Sequence, residues 1–123
     1  MKTIFCDLDG TLVKQPIDIT LLSSPDYELE VLPGVKDFLH AIDANRHHLI
    51  ITTGRKISLK EATIKQLQTA GIFYDQLIMG FGGGDRLLIN NTRRDSSEDT
   101  AYAVTININE GVLGNNMLEE FIQ

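Results

Sequence analysis

Residues 1–15 read MKTIFCDLDGTLVKQ. Thr3 to Asp7 is short, apolar, β-branched and aromatic, which is how a buried strand reads. It finishes on two carboxylates, Asp7 and Asp9, followed at once by Gly10 and Thr11. In an open parallel sheet, ligands bind at the carboxyl ends of the strands. If the backbone stays extended to Asp9, residues i and i+2 point the same way and both carboxylates converge on one crevice. Like charges that close repel, so a cation or a shared proton has to offset them. A hard divalent cation such as Mg²⁺ takes oxygen ligands and keeps waters and substrate phosphate in its shell. Gly10 admits a close backbone approach or an unusual φ. The plainer reading is a solvated strand end in which Asp-Gly simply turns the chain.

The rest of the chain supplies the context. Residues 10–30 are mixed and turn-rich, with a short extended stretch at Tyr27–Val31. Pro33-Gly34 opens a helix in which Val35, Phe38, Leu39 and Ile42 form one apolar stripe. His48 to Thr53 (HLIITT) reads as a second buried strand. A second helix follows: Ser58 and Glu61 have capping-box spacing, Ile57, Ile64 and Leu67 lie near one face, and Gly71 stops it. Gln76–Met79 is a third strand, Arg86–Asn90 (RLLIN) a fourth, Tyr102–Ile108 a fifth, and Met117–Ile122 a closing helix. This order predicts an α/β fold: one open, mostly parallel sheet with helices on both faces, in a single domain over residues 1–123. About six residues, Gly80–Asp85, join the third and fourth strands, whereas adjacent parallel strands need a crossover of about a dozen or more. A hairpin there would carry Asn90 and Asn91 away from the aspartates.

Composition narrows the function. The net charge is −6, and nucleic acid or an anionic membrane would need a basic face instead. No run of about 18 apolar residues marks a membrane span. One cysteine, Cys6, excludes an intramolecular disulfide and fits a reducing, cytoplasmic location. Cys6 itself reads as a small buried apolar residue.

The string DLDGTL at the end of a first hydrophobic strand resembles the first motif of the haloacid dehalogenase-like hydrolase superfamily. LIITTGR resembles its second motif, an apolar strand ending in Thr or Ser. The VLPGVKDFL helix opening between them fits as well. The resemblance implies a Rossmann-like phosphatase domain, Mg²⁺-dependent, with Asp7 as the nucleophile and Asp9 as the group that protonates the leaving oxygen and then activates water. It implies that Mg²⁺ is held by the Asp7 side chain and the main-chain carbonyl of Asp9. Thr53, with Thr52 as the alternate, would hold phosphoryl oxygens together with backbone around Gly54 and Gly10.

Two motifs depart from the family pattern. Phe81 stands about where a third-motif lysine would fall, leaving Arg55 as first substitute and Lys56 or Arg86 behind it. Asn90-Asn91 replaces the fourth motif's acids; amide oxygens ligate Mg²⁺ more weakly. Residues 10–33 and 54–74, where the family places its cap insertions, leave room for a β-flap and one helix but no cap domain. The implied substrate is a phosphorylated small molecule, in a sugar or sugar-nucleotide context. The open site calls for a large substrate, a protein partner or a second copy of the chain to cover it. The rival expectation is a phosphate-binding or regulatory domain with little or no turnover.

Overall fold

The computed structural model describes residues 1–123. Three parallel strands form the sheet in the order β1 (Thr3–Asp7), β2 (His48–Thr53), β3 (Gln76–Met79). Helix α1 (Val35–Ala44) connects the first pair and α2 (Lys60–Ala70) the second; α3 (Asn116–Ile122) closes the chain. This is the expected open parallel α/β sheet, and it carries no cap.

Register decides what each face shows. Ile4 pairs with Leu49, Cys6 with Ile51, and Asp7 with Thr52. Ile4, Leu49 and Ile51 therefore share one face, where Val35, Phe38, Leu39 and Ile42 of α1 and Leu67 of α2 complete the core. The opposite face carries Asp7, Phe5 and Ile78; Phe5 is 53% and Ile78 39% exposed. Helices were expected on both faces, yet this second face stays open. β1 is also an edge strand, hydrogen-bonded on one side alone.

The fourth and fifth expected strands do not form. Residues 80–107 hold no regular element, and Leu87 and Ile89 are 85% and 83% exposed. The short link is the physical reason: it cannot carry Arg86–Asn90 across the sheet to lie parallel to its neighbours. The Ser58–Glu61 capping box does not form either. A 3-10 turn, Ile57–Leu59, precedes α2, and no side chain caps the helix. Gly71 ends α2 in the left-handed conformation, as its position predicts. The buried side of α2 is Ala62, Thr63, Gln66 and Leu67, not the Ile57–Ile64 line, and two of those four are polar.

The C-terminal helix is latched to the start of β1. His47 Nδ1 accepts the Lys2 main-chain N–H at 3.1 Å, so the imidazole proton sits on Nε2, which donates to the Ile122 carbonyl at 2.8 Å. Lys2 also places its ammonium over the Phe121 ring, 4.8 Å from the centroid. His47→Ala removes both ring hydrogen bonds in one step. The expected cost is about 1–3 kcal/mol, read as a lower denaturation midpoint in urea at unchanged slope.

Candidate active site

The turn after β1 is built around Leu8. That side chain is fully buried, and its carbonyl accepts from Thr11, Leu12 and Val13 at 3.1, 2.9 and 3.2 Å. Gly10 takes φ +85°, a conformation that other residues rarely adopt, and a Cβ there would stand 3.0 Å from Ile108 Cγ1. Its N–H donates to Val13 O at 2.7 Å, and its carbonyl accepts from Asn109 at 2.9 Å. The Gly10 N–H is thus committed to the turn.

This turn separates the two aspartates into different surroundings. Asp7 is exposed on the open face of the sheet and forms no salt bridge. Its closest side-chain donor is Thr11 Oγ1, at 3.4 Å. Its pKa lies above the ordinary carboxylate value, chiefly because its surroundings strip water from it. The Leu8 N–H pulls it back down, the charge of Asp9 pushes it up, and Thr11 and Arg86 pull it down again.

Asp9 turns inward. Arg55 Nε and Nη2 each donate to one of its carboxylate oxygens at 2.8 Å, a bidentate pair. The Arg55 side chain is 1% exposed and that of Asp9 18%. Nη1 of Arg55 donates to Thr63 Oγ1 at 3.0 Å and to Gln66 Oε1 at 2.7 Å. Arg55 therefore faces Asp9, not the open side of Asp7. Arg86 is the cation whose charge reaches Asp7. Its guanidinium lies over the Phe81 ring, 5.3 Å from the centroid. Phe81 is anchored by donating its N–H to Thr53 O at 3.3 Å. Lys56 is exposed.

Thr53 is buried, and its hydroxyl accepts the Arg55 N–H at 3.1 Å. Thr52, half-buried, is the register partner of Asp7 and shares its face. Gly54 is exposed where the carbonyl of Phe81 crosses it. Asn90 and Asn91 lie on an exposed loop, where Asn90 Nδ2 donates to Thr100 Oγ1 at 2.9 Å and the Asn91 carbonyl accepts from the same hydroxyl. Neither lines the cleft of about 910 Å³ that Asp7 shares with Arg86, Phe5, Tyr102 and Phe121. Cys6, beneath Asp7, has its thiol pKa pushed up to about 12 by burial and by the Asp7 charge, so it stays protonated.

No group of three or more His, Cys, Asp or Glu gathers anywhere as a metal cluster. The chemistry of the donors around Asp7 still suits a hard cation. Asp7 offers an unpaired carboxylate, and the Asp9 main-chain carbonyl accepts no hydrogen bond. Two protein oxygens with several waters is an ordinary set for Mg²⁺. Gln66, Thr63 and Arg86 form the part of this region that sequence reasoning underrated. For Thr63 and Gln66 the available signal was a pair of polar residues on the same side of α2 as Leu67, eight and eleven residues beyond Arg55.

A sequence model of haloacid dehalogenase-like hydrolases matches residues 4–84. Among solved structures, a target protein from Vibrio cholerae is 20% identical with a TM-score of 0.53, over 73% of this chain and 80% of that one. A D,D-heptose 1,7-bisphosphate phosphatase from B. bronchiseptica, complexed with magnesium and phosphate, is 23% identical with a TM-score of 0.48. That match covers 69% of this chain and 53% of the other. No curated protein matches the chain.

Proposed function

The chain belongs to the haloacid dehalogenase-like hydrolases, and from that premise we propose that it is a Mg²⁺-dependent phosphatase working through Asp7. The observation that carries the reading is the Asp7 carboxylate, exposed and without an ion pair at the carboxyl end of β1, in a cleft that Arg86 also lines. A carboxylate kept free in that position is available as a nucleophile. An Asp7 oxygen attacks phosphorus, the bond to the leaving oxygen breaks, and water later releases phosphate from the aspartyl phosphate. Asp9 gives the leaving oxygen its proton and afterwards takes one from the attacking water. Arg86 and the Thr11 hydroxyl meet the phosphoryl oxygens, with a threonine at the end of β2, Thr53 or its neighbour Thr52. Mg²⁺ bound by the Asp7 carboxylate and the Asp9 carbonyl would shield the nucleophile from the phosphate charge.

We read residues 1–123 as one such domain, suited to a reducing compartment. The open face above Asp7 suits a phosphate carried on a sugar or sugar nucleotide, or a partner or second copy that covers it. A second reading, a domain that binds phosphate with little turnover, is favoured by one observation: Asn90 and Asn91 add no charge near Asp7.

Phosphate release from p-nitrophenyl phosphate decides between them. The expected result is turnover at millimolar Mg²⁺ that stops in excess EDTA and returns on adding the metal. Phosphate-analogue binding without turnover would favour the second reading.

A further inference from the structure

Behind Asp9 lies a polar chain that the phosphatase reading leaves unused. Arg55 spends two donors on Asp9, and Nη1 is held by Thr63 and Gln66. Gln66, itself fully buried, donates its amide to the carbonyls of Leu22 at 3.1 Å and Ser24 at 2.8 Å. A continuous line of hydrogen bonds thus runs from the Leu22–Ser24 segment through α2 to the Asp9 carboxylate. Every buried side-chain polar atom in it has a partner.

We propose that Gln66 is a positioning residue that, through Arg55, sets the orientation of Asp9 for proton transfer. This rests on the phosphatase reading, in which Asp9 is the acid. A bidentate pair fixes a carboxylate in the plane of the guanidinium, and that plane is fixed here by the acceptors on Nη1. The Gln66 contact is the shorter of the two, 2.7 Å against 3.0 Å for Thr63. Each Asp9 oxygen keeps a second lone pair, so a proton can sit on the side turned away from Arg55. Misplacing a reacting group by about 1 Å costs about 10²-fold in rate.

Leaving groups separate this role from a structural one. p-Nitrophenolate departs with little help from an acid, whereas an alkoxide needs its proton. Gln66→Met keeps the volume and removes the acceptor and both donors. Relative to wild type, kcat/KM, which reports the step that expels the leaving group and not the later hydrolysis common to both substrates, is expected to fall about tenfold or more on glycerol phosphate and less than about threefold on p-nitrophenyl phosphate. Thr63→Val is expected to move the ratio of the two rates in the same direction by less, and it decides the matter should Gln66→Met fail to fold. An active wild type whose two rates fall together in the variants overturns the positioning role alone. A wild type that releases phosphate from neither substrate overturns the phosphatase reading and this role with it.

Discussion

Asp7→Asn is expected to abolish phosphate release. The amide is isosteric but has no nucleophilic oxygen anion, so the covalent route closes and the rate falls by about 10⁴-fold or more. The melting temperature shows that this is chemistry and not unfolding. Asp7 carries a raised pKa in the fold, so the folded chain holds its proton to higher pH than the unfolded chain does. Stability is then lost as pH rises from the unfolded value through the folded one. At neutral pH the wild type bears that ionised, partly dehydrated group and the variant does not. Asp7→Asn is therefore expected to melt at or above the wild-type temperature at pH 7, with the difference vanishing in acid. On the proposed reading, Mg²⁺ affinity is expected to follow the same titration, rising with pH as Asp7 loses its proton, and to weaken in the variant. Retained turnover in Asp7→Asn would mean that another group attacks phosphorus.

Arg55→Met is expected to be strongly destabilising. It leaves the Asp9 carboxylate, 18% exposed, without its counter-ion, and strips Thr63 and Gln66 of the donor they share. Breaking a buried pair from one side costs about 3–5 kcal/mol, a large fraction of the roughly 5–15 kcal/mol that holds a domain together. A fall of about 10–20 °C in the melting temperature follows at this size. The surface pair of Arg93 and Glu98 provides the control. It is just as short, 2.9 Å, but its side chains are 62% and 70% exposed. Removing Arg93 is worth less than about 1 kcal/mol. Arg55→Lys does not restore the parent, because an ammonium cannot hold both carboxylate oxygens and reach Thr63 and Gln66 as well. A small change in Arg55→Met would show that water reaches Asp9 freely.

The first half of the fold is legible in the sequence because local pattern and tertiary need coincide there. The apolar run at Thr3–Asp7, the stripe Val35–Phe38–Leu39–Ile42 and the run at His48–Thr53 each become what their periodicity says. RLLIN carries as strong a strand signal and forms none, since a strand requires a partner as well as a propensity, and the six-residue link gives it no route to one. Helix α2 misleads in another way. Ile57 and Ile64 look like its inner face, but Asp9 needs a cation and Arg55 needs acceptors, so the helix turns Thr63 and Gln66 inward instead. The paired aspartates are legible as two carboxylates at one strand end. That they part company, one left on the open face and the other bound to a buried arginine, depends on Gly10 and on a contact 46 residues away in sequence.

The unpaired edge of β1 bears on how the molecule behaves in bulk. A strand with unpaired main-chain groups on one side is a template on which another chain can lay its own strand. The net charge of −6 works against this by keeping copies apart in solution. That repulsion fades as pH approaches the isoelectric point of about 4.9. Solubility is lowest there, and the unpaired side of β1 is then held apart from other chains by steric cover alone.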